Sequence, residues 1–172
     1  MKPVHYAGLL LAVAASIATA ASPYAGQEHA DIKALTTAEQ SALLDGQGMG
    51  FAKAAELNGY PGPKHVLELS EQLGLSQAQR EATQALFERM RLAAQASGAE
   101  LIAEERALDA LYASRTATTG LVNAQLTRIE GLRARLRGIH LNAHLEQAAL
   151  MSRHQVALYA RLRGHGASGH QL

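Results

Sequence analysis

The phrase apolar-Ser-x-x-Gln occurs twice in this chain, as Leu75-Ser76-Gln77-Ala78-Gln79 and as Met151-Ser152-Arg153-His154-Gln155, each time where a helical pattern begins. A Ser at the N-cap accepts the amide proton of the third helical residue, and a Gln at that position reaches back to the N-cap amide. Two of the donors that every helix start leaves orphaned are thereby satisfied at Ser76/Gln79 and again at Ser152/Gln155. A third box, Thr36 with Glu39, precedes Ala42, Leu43 and Leu44 and is stopped by Gly46.

Apolar residues beyond these starts recur with helical period. From Gln77 to about Ser114, Ala82, Leu86, Met90, Leu101, Leu108 and Leu111 recur at steps of three and four, which predicts one amphipathic helix of roughly 57 Å, bent at Ser97-Gly98. After a turn over Thr116 to Gly120, a second stripe runs through Val122, Leu126, Ile129, Leu132, Leu136, Ile139, Ala143 and Leu150. Shorter helices are expected over Phe51 to Leu57, His65 to Leu73 and Arg153 to about Arg163, and Gly59-Tyr60-Pro61-Gly62-Pro63 fixes a turn. The chain has no Trp and few other aromatics, and past residue 64 it is dominated by Ala, Leu, Gln, Glu and Arg, a composition for helix rather than sheet. The expected fold class is all-α: a hooked antiparallel helical hairpin with short flanking helices. Each long helix covers only one flank of its partner, so the opposite apolar flank calls for a homodimer.

Residues 1–20 carry Lys2, an apolar run from Ala7 to Ala18 and the small-x-small site Ala18-Thr19-Ala20, the three parts of an export signal. A retained anchor is the alternative, but the run is shorter than the about 20 residues a span needs. A flexible mature N-terminus over 21–35, a helical domain over 36–163 and a Gly/His tail over 164–172 complete the division. Without Lys2, 15 basic side chains face 15 acidic ones, which argues against nucleic acid as a partner. With no cysteine there is no disulfide, thiolate metal site or thiol nucleophile. Neither Gly-x-Ser-x-Gly nor His-Glu-x-x-His occurs, and the Gly46-x-Gly48-x-Gly50 run follows a helix rather than a strand, so the chain does not read as an enzyme.

Two apolar-Ser-x-x-Gln phrases around a long helical pair in a cysteine-free, exported chain resemble the Spy/CpxP superfamily of periplasmic proteins, which also holds heavy-metal sensors related to CnrX and ZraP. The segment from Gly48 to Pro63, GMGFAKAAELNGYPGP, is similar to one branch of it. The likeness spans about residues 36–163. It departs where Ser76 and Ser152 replace the usual Thr and where Met151 replaces Leu, changes that leave the caps intact. The resemblance implies a periplasmic, non-enzymatic stress-response protein, an ATP-independent chaperone or adaptor holding unfolded clients or envelope sensor proteins on a helical cradle. A heavy-metal sensor or metal-binding resistance protein is the alternative it implies.

His140 and His144, one helical turn apart, share a face and are the best metal candidates, with His65 or Glu68, Glu88 or Glu146 as further ligands for zinc, nickel, copper or cobalt. Metal-sensing relatives carry a His pair before the first cap, where this chain has His65 and then Leu69. The plainer reading leaves both histidines bordering a helix interface or solvent. His154, His165 and His170 are weaker candidates near the tail. Arg128, Arg133 and Arg137, interleaved with Leu132, Leu136 and Ile139, make a basic and apolar stripe fit for unfolded clients. The same arginines are equally able to pair with the acidic first long helix, through Glu100, Glu104 and Glu105.

Overall fold

A computed structural model describes residues 22–165. The expected export signal and the end of the tail, His170 included, lie outside the described residues. Every regular element within them is helical: α1 (Thr37–Leu44), α2 (Lys53–Leu57), α3 (Pro63–Glu68), α4 (Gln77–Ala113), α5 (Thr119–Leu150) and α6 (Arg153–Leu162). Among them no helix is long and apolar enough to cross a membrane.

The caps form as their sequences dictate. Thr36, Ser76 and Ser152 each accept from the third helical amide, and Glu39, Gln79 and Gln155 return the bond to the cap amide. A fourth cap, Thr118, accepts from the Leu121 amide and starts α5 earlier than the apolar stripe signals. α4 runs unbroken through Ser97-Gly98, and the glycine there serves a contact. The position a Cβ would take on Gly98 lies 2.5 Å from the Leu43 carbonyl oxygen, because α1 crosses α4 there backbone to backbone. Pro63 opens α3 at its first turn instead of ending the preceding turn, since a helix start has no use for the amide that proline lacks. α3 stops at Glu68, and Leu69 to Gly74 continue as turns.

α4 and α5 pack on each other, their partners ascending α4 as they descend α5: Gln79 with the Leu150 carbonyl, Thr83 with Gln147, Glu100 with Arg135, and Glu104 with Gln125. Leu101, Ile102, Ile129, Leu132 and Leu136 form the core between them. Ile32 and Leu35 belong to that core as well, tied down by the Arg106–Asp31 and Lys33–Asp109 ion pairs. The end of the stretch expected to be a flexible N-terminus is thus a packed strap, held by two apolar side chains, too few to show a period.

A second core sits at the other end of the long pair, where Val66, Leu73, Leu75, Met151 and Tyr159 meet, with Val156 alongside. Here the two Ser-x-x-Gln phrases prove to be one device. The Gln79 and Gln155 amides bond each other reciprocally at 3.0 and 3.1 Å, Gln79 also donates to the Leu150 carbonyl, and Gln155 donates to the Leu73 carbonyl. Each glutamine caps its own helix and ties it to the other. Gln79→Ala or Gln155→Ala is therefore expected to cost about 2 kcal/mol, more than an isolated cap. The double variant should lose less than the two singles together, because both share one bond pair. Urea denaturation of the four proteins measures this; strict additivity would contradict the shared clamp.

Candidate functional site

Glycines build the site. The segment between α1 and α3 folds back over α4 and α5 and encloses a cavity of about 460 Å3, lined in part by His140, His144, His65, Glu56, Met49 and Met90. Gly46, at φ +68°, lies so close to α4 that a Cβ would stand 2.7 Å from the Arg91 carbonyl oxygen. A Cβ on Gly62 would stand 2.9 Å from His144 Cε1 and 3.1 Å from Nε2, and one on Gly48 would touch the His140 ring at 3.9 Å. Only a residue without a side chain lets the backbone lie this close to α4 at Gly46 and to the His144 imidazole at Gly62. Gly46 and Gly62 thus have a physical reason, one that sequence reading could not supply.

The two histidines are held differently. His144 is buried, with Nδ1 2.8 Å from the Tyr60 carbonyl oxygen; a carbonyl only accepts, so Nδ1 carries a proton. His140 is 3% exposed, its ring stacks on Phe51 with centroids 6.0 Å apart, and its Nε2 has no hydrogen-bond partner. Burial, reinforced by the neighbouring His144, pushes the His140 imidazolium below the ordinary histidine range and keeps the ring neutral at neutral pH.

That shift has a sign. A histidine whose folded pKa lies below 6.5 binds more protons unfolded than folded, so the stability it permits is present above pH 6.5 and is lost as pH falls through the window below. The fold is expected to weaken between pH 7.5 and 5.5, by at most about 1.4 kcal/mol per pH unit for this one group. His140→Gln should flatten that slope. The carboxylates held low by their partners, Glu39 by Thr36 and Glu68 by His65, weaken the fold only near and below their ordinary 4.5. Urea midpoints at the two pH values read the difference.

Glu56 was not among the sequence candidates. Its Oε1 accepts from the Tyr159 hydroxyl at 2.7 Å and from Arg163 Nε at 3.1 Å, while its Oε2 lies 3.8 Å from His144 Nδ1. Tyr159, fully buried, also accepts from the Gly62 amide. One carboxylate thus joins the cavity wall to α6. A lone Glu in a short alanine-rich helix gives no hint of this, because its partners lie about a hundred residues away.

His65, His140 and His144 all line the cavity, yet among the described residues no three His, Cys, Asp or Glu side chains gather as a metal-holding group. His65 Nδ1 is turned to Glu68 Oε2 at 2.8 Å. Glu146 pairs with Arg89, and Glu88 with Arg91. Near the tail, His154 is exposed, while His165 packs beside Glu56, 3.9 Å from its Oε1.

The expected client-binding stripe does not form a free surface. Leu132 and Leu136 are buried against α4 and Ile139 packs on the same core, because an amphipathic helix has one apolar stripe and sealing α5 to α4 consumes it. Arg128 pairs with Glu104, and Arg133 with the buried Glu105. Of the six residues Arg137 alone is exposed without an ion pair among the described residues. No family model, curated protein or solved structure matches this chain.

Proposed function

We propose that this chain is an exported, periplasmic, non-enzymatic helical protein of the Spy/CpxP-like kind that binds a transition metal as a sensor or resistance protein, with His140 and His144 as the core of the site. The observation that carries the reading is the His140 imidazole, buried, with its Nε2 left without a partner, which lines the same cavity as the buried His144. Leaving a buried polar atom unpaired costs about 1–3 kcal/mol, a cost that a ligand would offset. Coordination needs the neutral form, and the surroundings of His140 favour it.

Calorimetric titration with zinc, nickel, copper and cobalt tests this. One ion should bind per chain, and His140→Ala or His144→Ala should abolish the binding. Unchanged affinity in both variants would remove the site.

A second reading, an ATP-independent chaperone or adaptor for unfolded or envelope sensor proteins on a homodimeric hairpin cradle, draws on other residues. Leu92, Leu126 and Leu145 are exposed on the two long helices, and Arg137 is exposed on α5 without an ion pair among the described residues. The purified protein should then suppress aggregation of a denatured client without ATP, less so with Arg137→Glu, and light scattering should report a dimer. Client aggregation unaffected over a wide range of ratios would dismiss this reading.

A further inference from the structure

We infer that the metal taken by the cavity is monovalent copper, Cu(I), held by the imidazole of His140 together with the thioethers of Met49 and Met90. The inference rests on the metal-binding reading above and gives it a substrate class. Zinc, nickel and cobalt call for three or four nitrogen, carboxylate or thiolate donors around one point. No such trio of His, Cys, Asp or Glu is assembled among the described residues. His65 is engaged by Glu68, and the Oε1 of Glu56 is occupied by Tyr159 and Arg163.

The cavity supplies soft donors instead. Met49 and Met90 both line it together with the buried imidazole of His140, whose Nδ1 lies toward Gly48. Thioether sulfur is a soft ligand that favours Cu(I), and imidazole, which also serves zinc, iron and nickel, accepts it as well. In a chain without cysteine, methionine is the one soft side chain available. Of the other two methionines, Met1 lies in the expected signal and Met151 belongs to the second hydrophobic core. Met49 is also a methionine where the backbone invites glycine. It sits at φ +42° between Gly48 and Gly50, a conformation side-chain-bearing residues rarely take.

The test is an anaerobic titration of the full chain with Cu(I) in competition with a colorimetric Cu(I) chelator, and a parallel titration with zinc. The wild-type protein should retain one Cu(I). Met49→Leu and Met90→Leu, which conserve side-chain volume, should each weaken Cu(I) at least about tenfold and leave zinc affinity and the helical circular dichroism unchanged. X-ray absorption of the copper-loaded protein should place sulfur next to the metal. Methionine variants that hold Cu(I) like the wild type, or copper with nitrogen and oxygen neighbours alone, would overturn the inference. If zinc binds and is lost in His140→Ala while the methionine variants are silent toward Cu(I), the copper assignment falls and the metal-binding reading stands. If no metal binds at all, both fall.

Discussion

Replacing Gly98 by alanine is expected to destabilise the fold by about 2–3 kcal/mol, while the same substitution at Gly131 stabilises it by about 0.5–1 kcal/mol. Both glycines lie inside long helices, where alanine is intrinsically the better residue. Around Gly131 an added Cβ meets nothing within 4 Å, so the helix propensity gain is free. At Gly98 the added carbon would lie 2.5 Å from the Leu43 carbonyl oxygen and 2.9 Å from its carbonyl carbon. These are backbone atoms at the end of α1 and cannot rotate away, so α1 as a whole must lift and Leu43, 3% exposed, must leave the core with it. The cavity should register the same shift, because the loop after α1 is seated on α4 at Gly46 and carries Gly48 and Met49 over His140. Urea denaturation of the two variants gives the signs, and metal titration of Gly98→Ala gives the consequence for the site. A stabilised Gly98→Ala protein would contradict the crossing of α1 on α4.

That opposite behaviour of two helical glycines marks the boundary of what the sequence discloses. Local rules were sufficient for helix starts: Thr36, Ser76 and Ser152 open their helices because capping involves residues three apart. Period was sufficient for the stripes of α4 and α5. It could not say what a stripe faces, and so Leu132 and Leu136, apt for clients by pattern alone, are consumed by the contact with α4. The histidine pair was legible because a helix places residues four apart on one face. Its surroundings were not. Met49, Glu56 and the Gly62 backbone come from the segment between α1 and α3 and Met90 from α4, and their convergence depends on α1 and α3 folding back onto α4. The strap at Ile32 and Leu35 escaped for the same reason, its partners on α4 lying some seventy-five residues on.

The second large effect is expected at Glu56. Glu56→Ala should lower stability by about 2–4 kcal/mol, because it leaves the fully buried Tyr159 hydroxyl without an acceptor and Arg163 without its counter-charge. Burial and the adjacent Glu56 carboxylate hold the Tyr159 hydroxyl well above the ordinary tyrosine range, so it remains a donor through any neutral or alkaline condition the protein is tested in. Tyr159→Phe keeps the ring packed and should cost less, about 1–2 kcal/mol. Since the two side chains share one bond, a double-mutant cycle should return an interaction energy of at least about 1 kcal/mol, and additive losses would show that they act independently. The pair also has a place in the metal reading. Glu56 touches α6 through Oε1 and stands 3.8 Å from His144 through Oε2, while Tyr159 accepts from the Gly62 amide whose residue lies against the His144 ring. An ion that draws on His144 therefore pulls at the same carboxylate and the same loop that fasten α6. Hydrogen exchange of α6 amides should slow on metal binding in the wild type and remain unchanged in Tyr159→Phe; equal protection in both would confine the metal's effect to the cavity itself.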